Sequence, residues 1–99
     1  MTKIIAGRAS KHLATRLCKD LGLHQIEAFV ECYQDQELRV QLAESTYDDD
    51  IIIVQSTSKP ANDNLMELLL LVDAAKRSGA KRIVTCVPYF GYSRQDHSS

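Results

Sequence analysis

Glycine and proline are scarce in this 99-residue chain, at four and two. Hydrophobic residues make up 44% and charged residues 25%. That balance excludes a collagen-like, low-complexity or disordered polymer and fits one small folded unit. Cysteine is also sparse. Cys18, Cys32 and Cys86 are odd in number and far apart, which argues against a disulfide framework and against a paired-cysteine zinc site. Long apolar runs are missing. The longest, Leu68 to Val72, falls far short of the ~20 residues a membrane span needs, and the apolar run at Met1–Gly7 is too short for a signal peptide. No excess of one charge exists either. Twelve Lys and Arg against thirteen Asp and Glu leave a formal charge of −1, so no basic field is available to hold nucleic acid and no acidic tail is present. The expectation is a chain without nucleic-acid or membrane partners, in a reducing, cytoplasmic setting.

What is present is a sequence of strand and helix patterns. Lys3-Ile4-Ile5-Ala6, stopped by Gly7, reads as a buried first strand. Ser10 then precedes Leu13, Ala14, Leu17, Cys18 and Leu21, one-sided helical spacing with Ser10 as N-cap and Gly22 as the terminating residue. Ile26 to Cys32 is a strand candidate. Leu38, Val40 and Leu42 alternate with Glu37, Arg39 and Gln41, the period of two that marks a half-exposed strand. A polar connection, Tyr33-Gln34-Asp35-Gln36, joins them into a hairpin or a bent pair. Asp48-Asp49-Asp50 reads as a turn, mostly solvated.

Ile51-Ile52-Ile53-Val54 is β-branched throughout, as in a parallel strand covered on both faces. Asn64 and Glu67 have the spacing of a capping box, which predicts a helix over 64–78 ended by Gly79. Arg82 to Val87 is the last strand, ended by Pro88. Strand, helix and strand in about 30 residues describe a right-handed crossover. The fold class is therefore α/β, a mostly parallel sheet flanked by helices.

Ligands of such sheets bind beyond the carboxyl ends of the strands. Three ends are located here: Gly7-Arg8, Gln55 to Lys59, and Tyr89 to Asp96. Arg94, Gln95 and Asp96 combine a phosphate-gripping cation, an amide and a carboxylate next to aromatic side chains, although an ordinary surface loop has the same composition. Lys59 reads equally as a phosphate contact or as loop charge. His12 and His24 lack a second ligand at metal spacing, Cys18 and Cys86 fall on apolar faces, and Asp73 reads as the anchor of a buried polar contact. Two helices do not cover both faces of a sheet, so the chain reads as a single incomplete domain over residues 1–99, with apolar surface that needs a partner.

The stretch Gln55-Ser56-Thr57, Pro60, Asn62 to Leu69, Asp73-Ala74, Lys76-Arg77 and the long motif Pro88 to Asp96 closely resembles the ribose-phosphate pyrophosphokinase (phosphoribosyl pyrophosphate synthetase) family, N-terminal part only. Ala6-Gly7, Leu13-Ala14, Asp35-Gln36-Glu37 and Val40-Gln41 fit the same family, so the likeness runs from about residue 3 to residue 96. The resemblance implies a phosphoribosyltransferase-like domain with a protruding β-hairpin. It implies transfer of the β,γ-pyrophosphoryl group of ATP, with Mg²⁺, to ribose 5-phosphate, in a homo-oligomer.

By position, Tyr33, Asp35 and Glu37 fall on the hairpin loop that reaches the adenine of a neighbouring subunit's ATP. Arg94, Gln95 and Asp96 fall in the loop that holds ATP from the other side. No catalytic and no metal-binding residue is assigned. Three departures stand out. Tyr33 replaces the family's Phe, Gln36 its usual Gly, and Tyr47 a basic residue of its regulatory site. His97-Ser98-Ser99 also departs from the expected basic residues, and His97 is not the family's metal-binding histidine. Family enzymes run to roughly twice an average domain of ~150 residues. The metal-binding histidine, the mobile basic loop and the ribose-phosphate loop belong to the part this chain does not contain, so the expectation is a chain inactive alone. The alternatives are a non-catalytic regulatory or assembly module of the same family, and a generic nucleotide-binding α/β module.

Overall fold

The structure, a computed structural model, describes residues 1–34, 37–58 and 60–88. Strands β1 (Thr2–Ala6), β2 (His24–Ile26), β5 (Asp50–Val54) and β6 (Arg82–Cys86) form a parallel sheet in the order β2-β1-β5-β6. Strands β3 (Ala28–Cys32) and β4 (Leu38–Leu42) pair antiparallel as a separate two-stranded sheet. Helix α1 (Lys11–Leu21) follows a 3-10 turn at Arg8–Ser10, and α2 (Ala61–Arg77) links β5 to β6. The mostly parallel α/β architecture read from the sequence is the one observed.

Alternation along the central strands creates two cores. Ile5, Ile26, Ile51 and Ile53 face one side and pack against Leu68, Leu71 and Ala75 of α2. Ile4 and Val54 face the other side, against Ala14 and Cys18 of α1. Thus β5 is covered on both faces, as its β-branched run requires. Burial pushes the Cys18 thiol above its ordinary value, which suits an inert core side chain. Gly22 ends α1 in the left-handed region at φ 67°, and its N–H bonds the Cys18 carbonyl. Ser10 does occupy the N-cap position, but its hydroxyl accepts the Ser56 N–H at 2.8 Å instead of capping the helix.

Several local readings need correction. The segment Ile26–Cys32 is not one strand. Glu27 breaks it, leaving β2 on the main sheet and β3 in the hairpin. Helix α2 begins at Ala61, three residues before the expected start, with the chain entering extended at Pro60 (φ −78°, ψ 112°). No capping box exists. The Asn64 side chain donates to the Ser58 carbonyl at 2.7 Å, and Glu67 is used elsewhere. Asp73 is on the surface, paired with Arg77 one turn on at 2.8 Å, and not in a buried contact.

Asp49 overturns the reading of a solvated turn, since it is buried and its carboxylate takes the Lys3 ammonium at 2.9 Å and faces the N-terminal ammonium at 3.7 Å. The hydrogen bond from Lys3 holds its carboxyl below the ordinary carboxylate range, against the opposing effect of burial. A lowered folded value means that Asp49 stabilises the fold at pH above its unfolded value near ~4, and that this contribution fades as pH falls through the folded value. The expected result is that Asp49→Asn lowers the urea midpoint at neutral pH and matches the parent at the acid end. A difference independent of pH would show that the charge is not what matters.

Candidate functional site

The carboxyl ends of β1 and β5 are tied together by buried polar side chains. Gln55 is fully buried, and its Oε1 accepts the Ala9 N–H at 3.1 Å. Its side chain lies directly against Gly7, where an added Cβ would stand 2.0 Å from Oε1. Glu67, reaching across from α2, accepts the Arg8 backbone N–H at 2.6 Å and the Arg8 Nε at 2.7 Å. Ser56 N–H donates to Ser10 Oγ, as noted, so each bond runs between two segments that are distant in sequence. The result is a fixed rim at the end of the sheet where ligands of this architecture bind. Arg8 is an exposed cation of the rim, with Nε held by Glu67, and it lines a cavity of about 680 Å³. Cys32 and Leu38 of the hairpin and Asn62, Asp63 and Met66 of α2 complete its described walls. Sequence reasoning placed Arg8 at a strand end but read Glu67 as a cap and gave Gln55 no role. Their apolar surroundings (Leu68 and Val54) were the available signal, because a charged or amide side chain in such a run needs a buried partner.

The hairpin carries the other part of the site. Ala28, Val40 and Leu42 turn inward onto the α2 side of the core. Phe29, Glu31, Tyr33, Glu37, Arg39 and Gln41 are exposed, as alternation along β3 and β4 dictates. At the tip the Tyr33 N–H donates to the Glu37 carbonyl at 2.9 Å, which brings these two predicted site residues side by side. Tyr33 is 44% exposed, and the Arg39 guanidinium carbon sits 4.6 Å from its ring centroid. Arg39 Nε lies 3.7 Å from Glu37 Oε1. Tyr33, Gln34, Glu37 and Arg39 border an open cavity of about 570 Å³. Asp35, Lys59, Arg94, Gln95 and Asp96 lie outside the described residues. Tyr47 is exposed and flanks Gly79.

Among the described residues no group of three or more His, Cys, Asp or Glu stands where it could hold a metal ion. Likewise, no helix among the described residues is long and apolar enough to cross a membrane.

A family model described as the N-terminal domain of ribose phosphate pyrophosphokinase matches residues 2–99. The chain is 50% identical over 97 residues to a ribose-phosphate pyrophosphokinase of Agrobacterium fabrum, covering 98% of this chain and 31% of that protein. It is 48% identical over 94 residues to one of Rhizobium meliloti, covering 95% and 30%. The crystal structure of phosphoribosylpyrophosphate synthetase from Mycobacterium smegmatis is similar at a TM-score of 0.88 and 36% identity, over 96% of this chain and 32% of that one. A purine phosphoribosyltransferase from Pyrococcus horikoshii, at 21% identity and a TM-score of 0.66 over 87% of this chain and 58% of its own, shares the fold. The chain thus spans about a third of the length of the pyrophosphokinases it matches. With the match running over residues 2–99, the chain belongs to the family of the N-terminal domain of ribose phosphate pyrophosphokinase.

Proposed function

We propose that this chain is the N-terminal portion of a ribose-phosphate diphosphokinase. The reaction moves the β,γ-pyrophosphoryl group of ATP, as its Mg²⁺ complex, to the anomeric hydroxyl of ribose 5-phosphate, for nucleotide biosynthesis in the cytoplasm. Residues 1–99 act as one incomplete domain of a homo-oligomer. The hairpin tip serves the adenine end of a neighbouring subunit's ATP, through Tyr33, Asp35 and Glu37. Arg94, Gln95 and Asp96 hold the same nucleotide from the opposite side.

The observation that carries this reading is the chemistry of the tip. Exposed Tyr33 and the Glu37 side chain border one cavity at the tip of a two-stranded element. Glu31, Asp35 and Glu37 outnumber Arg39 between residues 31 and 39, so the tip repels a triphosphate and suits a base and a ribose. Stacking on the ring and hydrogen bonds from an amine or hydroxyl to a carboxylate are what such a surface offers. Positioning and charge stabilisation of the transferred group then fall to the rest of a complete enzyme.

The test is to place this chain in the Agrobacterium fabrum relative in exchange for the matching segment and to assay phosphoribosyl pyrophosphate formation. The exchange is expected to be active. Tyr33→Ala and Arg94→Ala each raise the KM for ATP roughly tenfold, the scale of one stacking contact or one charge-assisted bond, while Lys11→Ala does not. The 99-residue chain alone gives no turnover with ATP, Mg²⁺ and ribose 5-phosphate. Clear turnover by the chain alone, or an Arg94→Ala effect no larger than that of Lys11→Ala, would overturn the assignment.

A further inference from the structure

We propose that Arg39 is a positioning residue for the purine base, acting through Tyr33. The inference rests on reading the tip as the adenine wall and adds to it a residue that the resemblance does not assign. Arg39 shares the outer face of the hairpin with Tyr33 and Glu37, and its guanidinium lies over one face of the Tyr33 ring at 4.6 Å. Its charge is met locally. Glu37 is at 3.7 Å, and Glu31 is its cross-strand partner in the ladder. A guanidinium so compensated is a poor phosphate grip and a good flat support. It closes one face of the ring, fixes the ring plane, and leaves the opposite face as the stacking surface. Holding an exposed ring in its bound orientation removes an ordering cost that would otherwise fall on binding. A purine gains more from this than a pyrimidine, because it overlaps more of the ring.

The experiment is a titration of the 99-residue chain with ATP and, separately, CTP, followed by amide and tyrosine-ring NMR shifts. ATP is expected to move the signals of Tyr33 and Glu37. Arg39→Ala weakens ATP roughly three- to tenfold, the scale of one ordered side chain and one cation–π contact. CTP binding stays within twofold, so the ATP-to-CTP ratio falls. Arg39→Lys, which keeps the charge but not the plane, falls between. Equal weakening of both nucleotides assigns Arg39 to the sugar, the phosphates or folding and overturns the proposal, as does an unchanged ratio. If wild type shows ATP shifts at the tip that Tyr33→Ala abolishes while Arg39→Ala leaves them intact, Arg39 fails and the adenine wall stands. Absence of any tip shift in the wild type overturns both. Should Arg39→Ala not give a folded spectrum, Arg39→Gln is read by the same criteria.

Discussion

Gly7→Ala is expected to lower the thermal midpoint by about 12–24 °C, corresponding to about 3 kcal/mol at the 4–8 °C per kcal/mol typical of a domain this small. The cause is steric. An alanine methyl would stand 2.0 Å from Gln55 Oε1, 2.3 Å from Cδ and 2.9 Å from Cβ. Gln55 cannot swing away cheaply, because it is fully buried and its Oε1 holds the Ala9 N–H. Overpacking of this kind costs about 1–3 kcal/mol, and the upper end applies because the part-buried bond from Ala9 to Gln55 breaks with it. Shortening the obstacle gives a check. In Gly7→Ala with Gln55→Ala, two of the three contacts vanish but the 2.9 Å contact with Cβ remains, so rescue relative to Gln55→Ala alone is partial. A midpoint within a few degrees of wild type for Gly7→Ala itself would mean that the rim relaxes far more easily than its bonding implies.

Glu67→Ala should cost about 2–4 kcal/mol in urea unfolding, among the larger losses open to a single substitution here. Its carboxylate is 1% exposed and receives two donors from Arg8. The two donors are not equivalent. The Arg8 side chain is 56% exposed, so its guanidinium returns to water when the carboxylate is removed and that part of the loss is small. The Arg8 backbone N–H loses its carboxylate acceptor, and the truncation also leaves a cavity at a fully buried position. Glu67→Gln keeps the volume and one oxygen but turns an amide donor toward another donor, and is expected to cost about half as much. Arg8→Ala leaves the backbone donor in place and should be milder than either. The reverse order, with Arg8→Ala the most damaging, would place the value of the pair in the ion pair and not in the tie between chain and helix.

The frame of the fold was legible because its signals are local. The run Ile51–Val54 has no polar residue to assign to an outer face, and β5 is indeed covered twice. The alternation of residues 37–42 identifies β4 and its outward side. Gly22 ends α1 at a left-handed position that the sequence pattern anticipates. Misreadings occurred where a polar side chain serves a distant segment. Asn64 and Glu67 have capping spacing, yet one reaches the loop at Ser58 and the other reaches Arg8, and the helix starts three residues earlier without them. Asp49 sits in an acidic triplet that reads as solvated, but Lys3 from a neighbouring strand draws it inward. Glu27 gives no turn signal strong enough to mark the passage from one sheet to the other.

The site was legible in a different way. Tyr33, Asp35 and Glu37 stand out by resemblance and not by pattern, since a polar hairpin tip with one aromatic is common. Of these, Tyr33 and Glu37 are adjacent in the structure, bonded through their backbones. Arg39 was visible only as the outer half of an alternating strand. Its relation to Tyr33 is a side-chain arrangement that spacing alone does not specify. The rim at Gly7, Gln55 and Glu67 likewise depends on three segments meeting, two of them about fifty or more residues from the first. Such meetings follow from topology, which the crossover rule restricts but does not resolve to atoms.

The separation of the two sheets has a mechanical consequence. Among the described residues no backbone hydrogen bond ties β3 or β4 to the parallel sheet. The hairpin is seated by side chains on α2 and by the surface pair His24–Glu44. The position of Tyr33, Glu37 and Arg39 relative to the parallel sheet therefore depends on side-chain packing and not on a shared ladder.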